Sequence, residues 1–197
     1  MRKIKVAISG GIGSGKSVAL YSLQILGYPT FSCDEIYKEV ISSSEYIQKI
    51  KKLFPKAVMH DTIDRKILSQ IVFNDSKKLE ELNNVAHPLI MQTLLQRMDD
   101  CNAKIVFAEV PLLFEGNFEN LFDRVIYIER DFHARLQNIC LRDNLSKEEA
   151  LKRIEAQFNP HDEKGRQRLK ECNAYIIKNN KSVDELEKEL EKIISKF

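Results

Sequence analysis

The chain reads as an α/β protein built on a mostly parallel sheet, and three observations carry that reading. Five short runs, 3–9, 28–32, 104–108, 124–129 and 174–178, are apolar without alternation, the pattern of strands buried on both faces. Helical spacing lies between them, which points to βαβ units. The first run passes through a glycine-rich turn straight into a helix, with apolar residues at 20, 23 and 26.

That turn, Gly10-Gly11-Ile12-Gly13-Ser14-Gly15-Lys16-Ser17, fits G-x-x-x-x-G-K-[ST], the phosphate-binding P-loop. Strand, loop and helix are the context the motif requires. The glycines let successive N–H groups turn toward phosphate oxygens at a positive helix N-terminus. Residues Gly11 to Ser17 are therefore expected to bind nucleotide, with Lys16 at the β- and γ-phosphates and Ser17 as a Mg²⁺ ligand.

The remaining elements follow in order. The stretch from 33 to 102 is too long for one crossover and is expected to be a helical insertion. Within it Leu79, Leu82, Val85, Ala86, Leu89, Ile90 and Leu94 make one apolar face, kinked or restarted at His87-Pro88. A second insertion covers 143–170. There Ser146 to Glu149 has capping-box spacing and opens a helix carrying Leu151, Ile154 and Phe158, with Pro160 ending it. The basic segment through Lys164, Arg166, Arg168 and Lys170 reads as a lid over phosphates, or as a solvated charged face. The last helix turns Val183, Leu186, Leu190, Ile193 and Ile194 to the core. The expected division is a core of 1–32, 103–142 and 171–197, with the insertion and the lid between its parts.

At 197 residues the chain has room for one α/β domain with insertions. A net charge of +2 gives no global reason to expect nucleic acid or an anionic membrane as partner. No apolar stretch approaches the roughly 18 residues of a membrane helix, and the first strand begins too early for a signal peptide. Cys33, Cys101, Cys140 and Cys172 are scattered, as in a reduced cytoplasmic protein. Neither they nor His60, His87, His133 and His161 have metal-ligand spacing.

A P-loop says what is bound and leaves the reaction open. A GTPase would need N-K-x-D, and Asn180-Lys181-Ser182-Val183 has valine in the decisive place. A small-molecule kinase needs a carboxylate near the acceptor and cations on the migrating phosphoryl group. Asp34 ends the second strand at the carboxyl edge of the sheet, where ligands of open α/β sheets bind. It is either that carboxylate, the cap of the helix that follows, or both. Glu109, after the buried run 105–108, is the better candidate for the Mg²⁺ shell, and Glu115 the weaker. Arg135 and Arg142, seven apart on one helix, share a side.

Taken together these residues resemble the dephospho-coenzyme A kinase family, nearly end to end. Gly10–Ser17 is similar to its GGIGSGKS loop, and Leu26-Gly27 through Asp34-Glu35-Ile36 to its LG…DAD-x-I segment. Ile63–Leu68 resembles L-D-R-x-x-L, His87–Ile90 resembles H-P-x-I, and Val110–Glu115 resembles V-P-L-L-F-E. Arg142-Asp143 with Arg153–Gln157 resembles the lid signature R-D…R-I-x-x-Q.

The resemblance implies a P-loop NTPase three-layer fold: a five-stranded parallel sheet, a helical coenzyme-A-binding insertion and a helical lid. It implies transfer of the ATP γ-phosphate, with Mg²⁺, to the ribose 3′-hydroxyl of dephospho-coenzyme A. On that view Asp34 is the general base, and Lys16 and Arg142 stabilise charge on the phosphoryl group. Arg65, His87 and Asp34 meet the acceptor. The partners are then two small molecules, with no nucleic acid or membrane, and the protein a cytoplasmic monomer or small homo-oligomer. Departures are Ser32 and Cys33 in place of the first two letters of D-A-D, and Val18 after the loop. Asn138 stands where many members carry arginine, with Arg135 three residues earlier. In the late strand motif only Ile177 and Asn179 match. The alternatives are a nucleoside monophosphate kinase, which needs arginines for a phosphate acceptor, and a nucleotide-binding switch without an acceptor.

Overall fold

The computed structural model describes residues 2–73 and 75–197. The chain forms two compact units, Met1–Phe31 with Cys101–Phe197, and Ser32–Asp100. It begins with β1 (Ile4–Ser9), α1 (Lys16–Ile25) and β2 (Thr30–Ser32). The second unit holds α2 (Cys33–Val40), α3 (Ser44–Leu53), β3 (Val58–Met59), β4 (Thr62–Ile63), α4 (Arg65–Phe73) and α5 (Ser76–Asp100). The return to the first unit brings β5 (Ile105–Glu109), β6 (Arg124–Glu129), α6 (Phe132–Asp143) and α7 (Lys147–Glu155). Then come α8 (Glu163–Glu171), β7 (Tyr175–Lys178) and α9 (Val183–Ile194).

Each apolar run forms a strand within two residues of its expected bounds. Five strands make one parallel sheet in the order β2-β5-β1-β6-β7. The strands are apolar on both faces because both are covered. Ala19 and Leu23 of α1 and Leu186 and Leu190 of α9 pack with Val6, Ile8, Phe107 and Ile126 in one core. Val183, expected on that face, is exposed; the buried stripe of α9 starts one turn later, at Leu186. β1 lies between β5 and β6, so the loop that leaves its carboxyl end emerges at the middle of the sheet.

In the second unit α2, α3 and α4 pack on α5, whose buried face is Ala86, Leu89, Ile90, Met91, Leu94 and Met98. Leu79, expected on it, is exposed. α5 continues through Pro88 as one helix instead of restarting. Proline removes one helical hydrogen bond there, and the buried residues on either side hold the turns that flank it. The hairpin β3–β4 was not expected. Its two-residue turn is His60-Asp61, both at positive φ (48° and 55°), as the primed hairpin turn requires.

The helix α7 has the expected capping box: Ser146 Oγ accepts from Glu149 N, and a Glu149 carboxylate oxygen accepts from Ser146 N at 2.9 Å. It ends at Glu155, however, well before Pro160, and Phe158 lies outside it. Gln157 and Phe158 are drawn out of the helix by partners in the core.

Candidate active site

β1 ends at Ser9 and α1 starts at Lys16, leaving Gly10–Gly15 as the loop. Gly15 caps α1 at φ 96°, and a Cβ there would run into the Asn179 amide, so only glycine fits. Lys16 is buried and folds back, its Nζ donating to the Gly10 carbonyl (2.9 Å) and the Gly11 carbonyl (3.2 Å). Burial holds its pKa below the ordinary lysine value; Glu109 opposes that shift, Arg135 and Arg142 add to it, and Glu115 opposes it. Those five charged groups therefore share one electrostatic environment. Ser17 Oγ donates to Glu109 Oε1 at 3.1 Å, and Glu109 is buried at the end of β5.

The outer side of the loop is held by side chains from several elements. Tyr127 on β6 accepts from the Gly11 N–H, and burial raises its phenol pKa above the usual range. Ile12 N donates to Gln157 Oε1 at 2.6 Å, and Arg135 Nε donates to Ile12 O at 2.9 Å. Asn179 Nδ2, just after β7, donates to Ser14 O at 2.9 Å. Of these, Gln157 and Asn179 are marked in the sequence only as motif letters, and nothing there marks Tyr127. A buried tyrosine on a central strand carries no local signal of its partner.

The 156–168 segment is docked on the same region. Phe158 N donates to Glu115 Oε1 at 2.8 Å, and the Phe158 ring stacks on Phe114 with centroids 4.2 Å apart. Tyr127 meets both rings edge-on. Arg168 pairs with Glu119 and lies over the Phe114 ring, 5.3 Å from its centroid. Glu115 is thus an anchor for the segment, and Arg168 is neither the solvated nor the phosphate-facing residue its basic surroundings imply. Arg142 is exposed and binds both oxygens of Asp143 (2.7 and 3.0 Å), and Asp143 also accepts from Arg153. Arg135 and Arg142 therefore separate: one grips the loop and the other binds Asp143 at the end of α6.

In the second unit Asp34 is exposed in the first turn of α2. The cap of that helix is Ser32, so the capping reading of Asp34 does not hold. Arg65 opens α4 beside Asp64, which caps the helix by accepting from Lys66 N (2.9 Å) and Ile67 N (3.0 Å). Arg65 also borders a cavity of about 350 Å³ with Tyr37, Tyr46 and Ile63. His87 sits half-buried on α5, and burial lowers its pKa below the usual imidazole value. The unfolded chain then takes up the proton first. The stability contribution is full above about pH 6.5 and is lost as pH falls through that value toward the folded pKa. His87→Gln is expected to flatten this acid-side slope in urea midpoints measured across pH 5–8; an unchanged slope would contradict it.

Sheet, loop and lysine define a P-loop kinase core. A family profile described as dephospho-CoA kinase matches residues 4–185, and the chain belongs to that family. It is 32% identical over 194 residues to the dephospho-CoA kinase of Thermus thermophilus, covering 98% of this chain and 92% of that one. The structure of a dephospho-CoA kinase from Campylobacter jejuni is 31% identical and covers 98% of this chain and 97% of its own, with a TM-score of 0.62. The crystal structure of TT1252 from Thermus thermophilus gives a TM-score of 0.82 at 30% identity, covering 100% and 99%. The chain is thus an ATP-using kinase of the coenzyme A pathway. Among the described residues no helix is long and apolar enough to cross a membrane.

Proposed function

We propose that the protein transfers the γ-phosphate of ATP to the ribose 3′-hydroxyl of dephospho-coenzyme A, giving coenzyme A and ADP. The observation that carries this is the loop of a kinase-family chain with its lysine, Lys16, folded onto the Gly10 and Gly11 carbonyls beside the Ser17–Glu109 pair. Gly11 to Ser17 bind the nucleotide phosphates. Asp34 accepts the proton of the 3′-hydroxyl as the new P–O bond forms and the bond to the β,γ-bridging oxygen breaks. Lys16 and Arg142 stabilise the charge that develops on the phosphoryl oxygens. Arg65 and His87 bind the acceptor.

Mg²⁺ fits the donors present. Ser17 and Glu109 offer a hydroxyl and a carboxylate at 3.1 Å, both hard oxygen ligands. Among the described residues no group of three acidic, histidine or cysteine side chains could hold a metal alone, and Mg²⁺ is ordinarily bound by one or two carboxylates plus phosphates and water. When bound, the ion neutralises charge shared by the β- and γ-phosphates. We place the reaction in the cytoplasm, with two small-molecule partners and a monomer or small homo-oligomer as the working unit.

The test is ADP release on mixing the protein with MgATP and dephospho-coenzyme A, with mass spectrometry of the product. Acceptor-dependent ADP with a product one phosphoryl group heavier is expected. Release indifferent to dephospho-coenzyme A, or faster with a nucleoside monophosphate, would overturn the assignment.

A further inference from the structure

The loop's hydrogen bonds change sides partway along it. A trans peptide is planar, so its C=O and the following N–H point in opposite directions. In the first two peptide units the carbonyls of Gly10 and Gly11 face Lys16 Nζ. Their N–H groups, on Gly11 and Ile12, accordingly face away, to Tyr127 and Gln157. At Ile12 the pattern inverts. The Ile12 carbonyl is taken by Arg135 Nε and the Ser14 carbonyl by Asn179 Nδ2, each at 2.9 Å. The outer position of both side chains is independently marked by the glycines: a Cβ on Gly11 would meet the Arg135 guanidinium, and one on Gly15 the Asn179 amide. Neither substitution has room, so the two side chains are fitted against the backbone itself.

We propose that Arg135 and Asn179 are positioning residues of the phosphate loop: by holding the Ile12 and Ser14 carbonyls outward, they aim the Gly13 and Gly15 N–H groups inward at the nucleotide phosphates. Each amide shares a peptide plane with the carbonyl that is held, so the aim follows from geometry. A loop of glycines has little stiffness of its own. Donors fixed before the ligand arrives cost no reorganisation when it binds, which is where preorganised amides gain their advantage. On α6 the Arg135 cation lies one turn before Asn138, in contact with the loop backbone.

The experiment is calorimetric titration of MgATP into Arg135→Met and Asn179→Leu, neither of which can donate to a carbonyl. This needs no acceptor, so it is independent of the assigned reaction. Each substitution is expected to weaken MgATP binding about tenfold while the KM for dephospho-coenzyme A stays within twofold and a cooperative melting transition remains. Arg135→Lys, which keeps a donor and the charge, is expected to recover affinity to within threefold of the parent. A folded variant with MgATP affinity within threefold of the parent would overturn the proposal for that residue. Equal weakening of both substrates, or a lysine variant no better than methionine, would overturn it as well. Should Arg135→Met fail to fold, the lysine and Asn179 variants decide the matter.

Discussion

Replacing Lys16 by methionine is expected to lower kcat by about 10³-fold, the upper end for removing one preorganised stabiliser of transition-state charge. The side chain keeps its length, so packing inside the loop changes little. What is lost is a cation that burial has already partly destabilised, as its lowered pKa records. A desolvated ammonium that donates to the Gly10 and Gly11 carbonyls gains most when phosphoryl oxygens acquire charge. The cost to folding should be modest. Gly11 O keeps a second donor, Ser14 N at 3.1 Å, and Gly10 O gives up its bond from the Lys16 ammonium. Steady-state kinetics with a thermal melt of the same sample check this. A loss under tenfold in a folded variant would remove Lys16 from the transition state.

Asp34→Asn should cost about 10²- to 10⁴-fold in kcat, the range of a general base, with the KM for dephospho-coenzyme A nearly unchanged. The substitution is almost isosteric, and Ser32 rather than Asp34 caps α2. The structural loss is a favourable charge in the first helical turn, typically a few tenths of a kcal/mol to about 1 kcal/mol. A kcat within threefold of the parent would show that the carboxylate is not the proton acceptor. A rise in KM alone would make it a binding contact.

What could be read in the sequence was whatever is written in neighbouring letters. The P-loop, the five strands and the Ser146 capping box are local patterns, and each formed where expected. The His60-Asp61 hairpin was not legible because its turn uses neither the Asn-Gly nor the Asp-Gly signal. Pro160 marks a helix end in the sequence, yet α7 stops at Glu155, and the reason is tertiary: Ile12 and Glu115, distant in sequence, bind Gln157 and Phe158. In the sequence Arg168 is one of several cations in a basic run, and its pairing with Glu119 and Phe114 exists only in the fold. At the site, residue types were legible and their partners were not. Arg135 and Arg142 share a helix, yet one turns to a backbone carbonyl and the other to Asp143.

Gln157 and Phe158 lie between α7 and α8, and both are tied down, one to the loop and the other to Glu115 and Phe114. The segment is in effect a strap buckled to the loop. It cannot lift away as a whole without first releasing the Ile12 N–H, and the loop cannot shift at Ile12 without drawing on the strap.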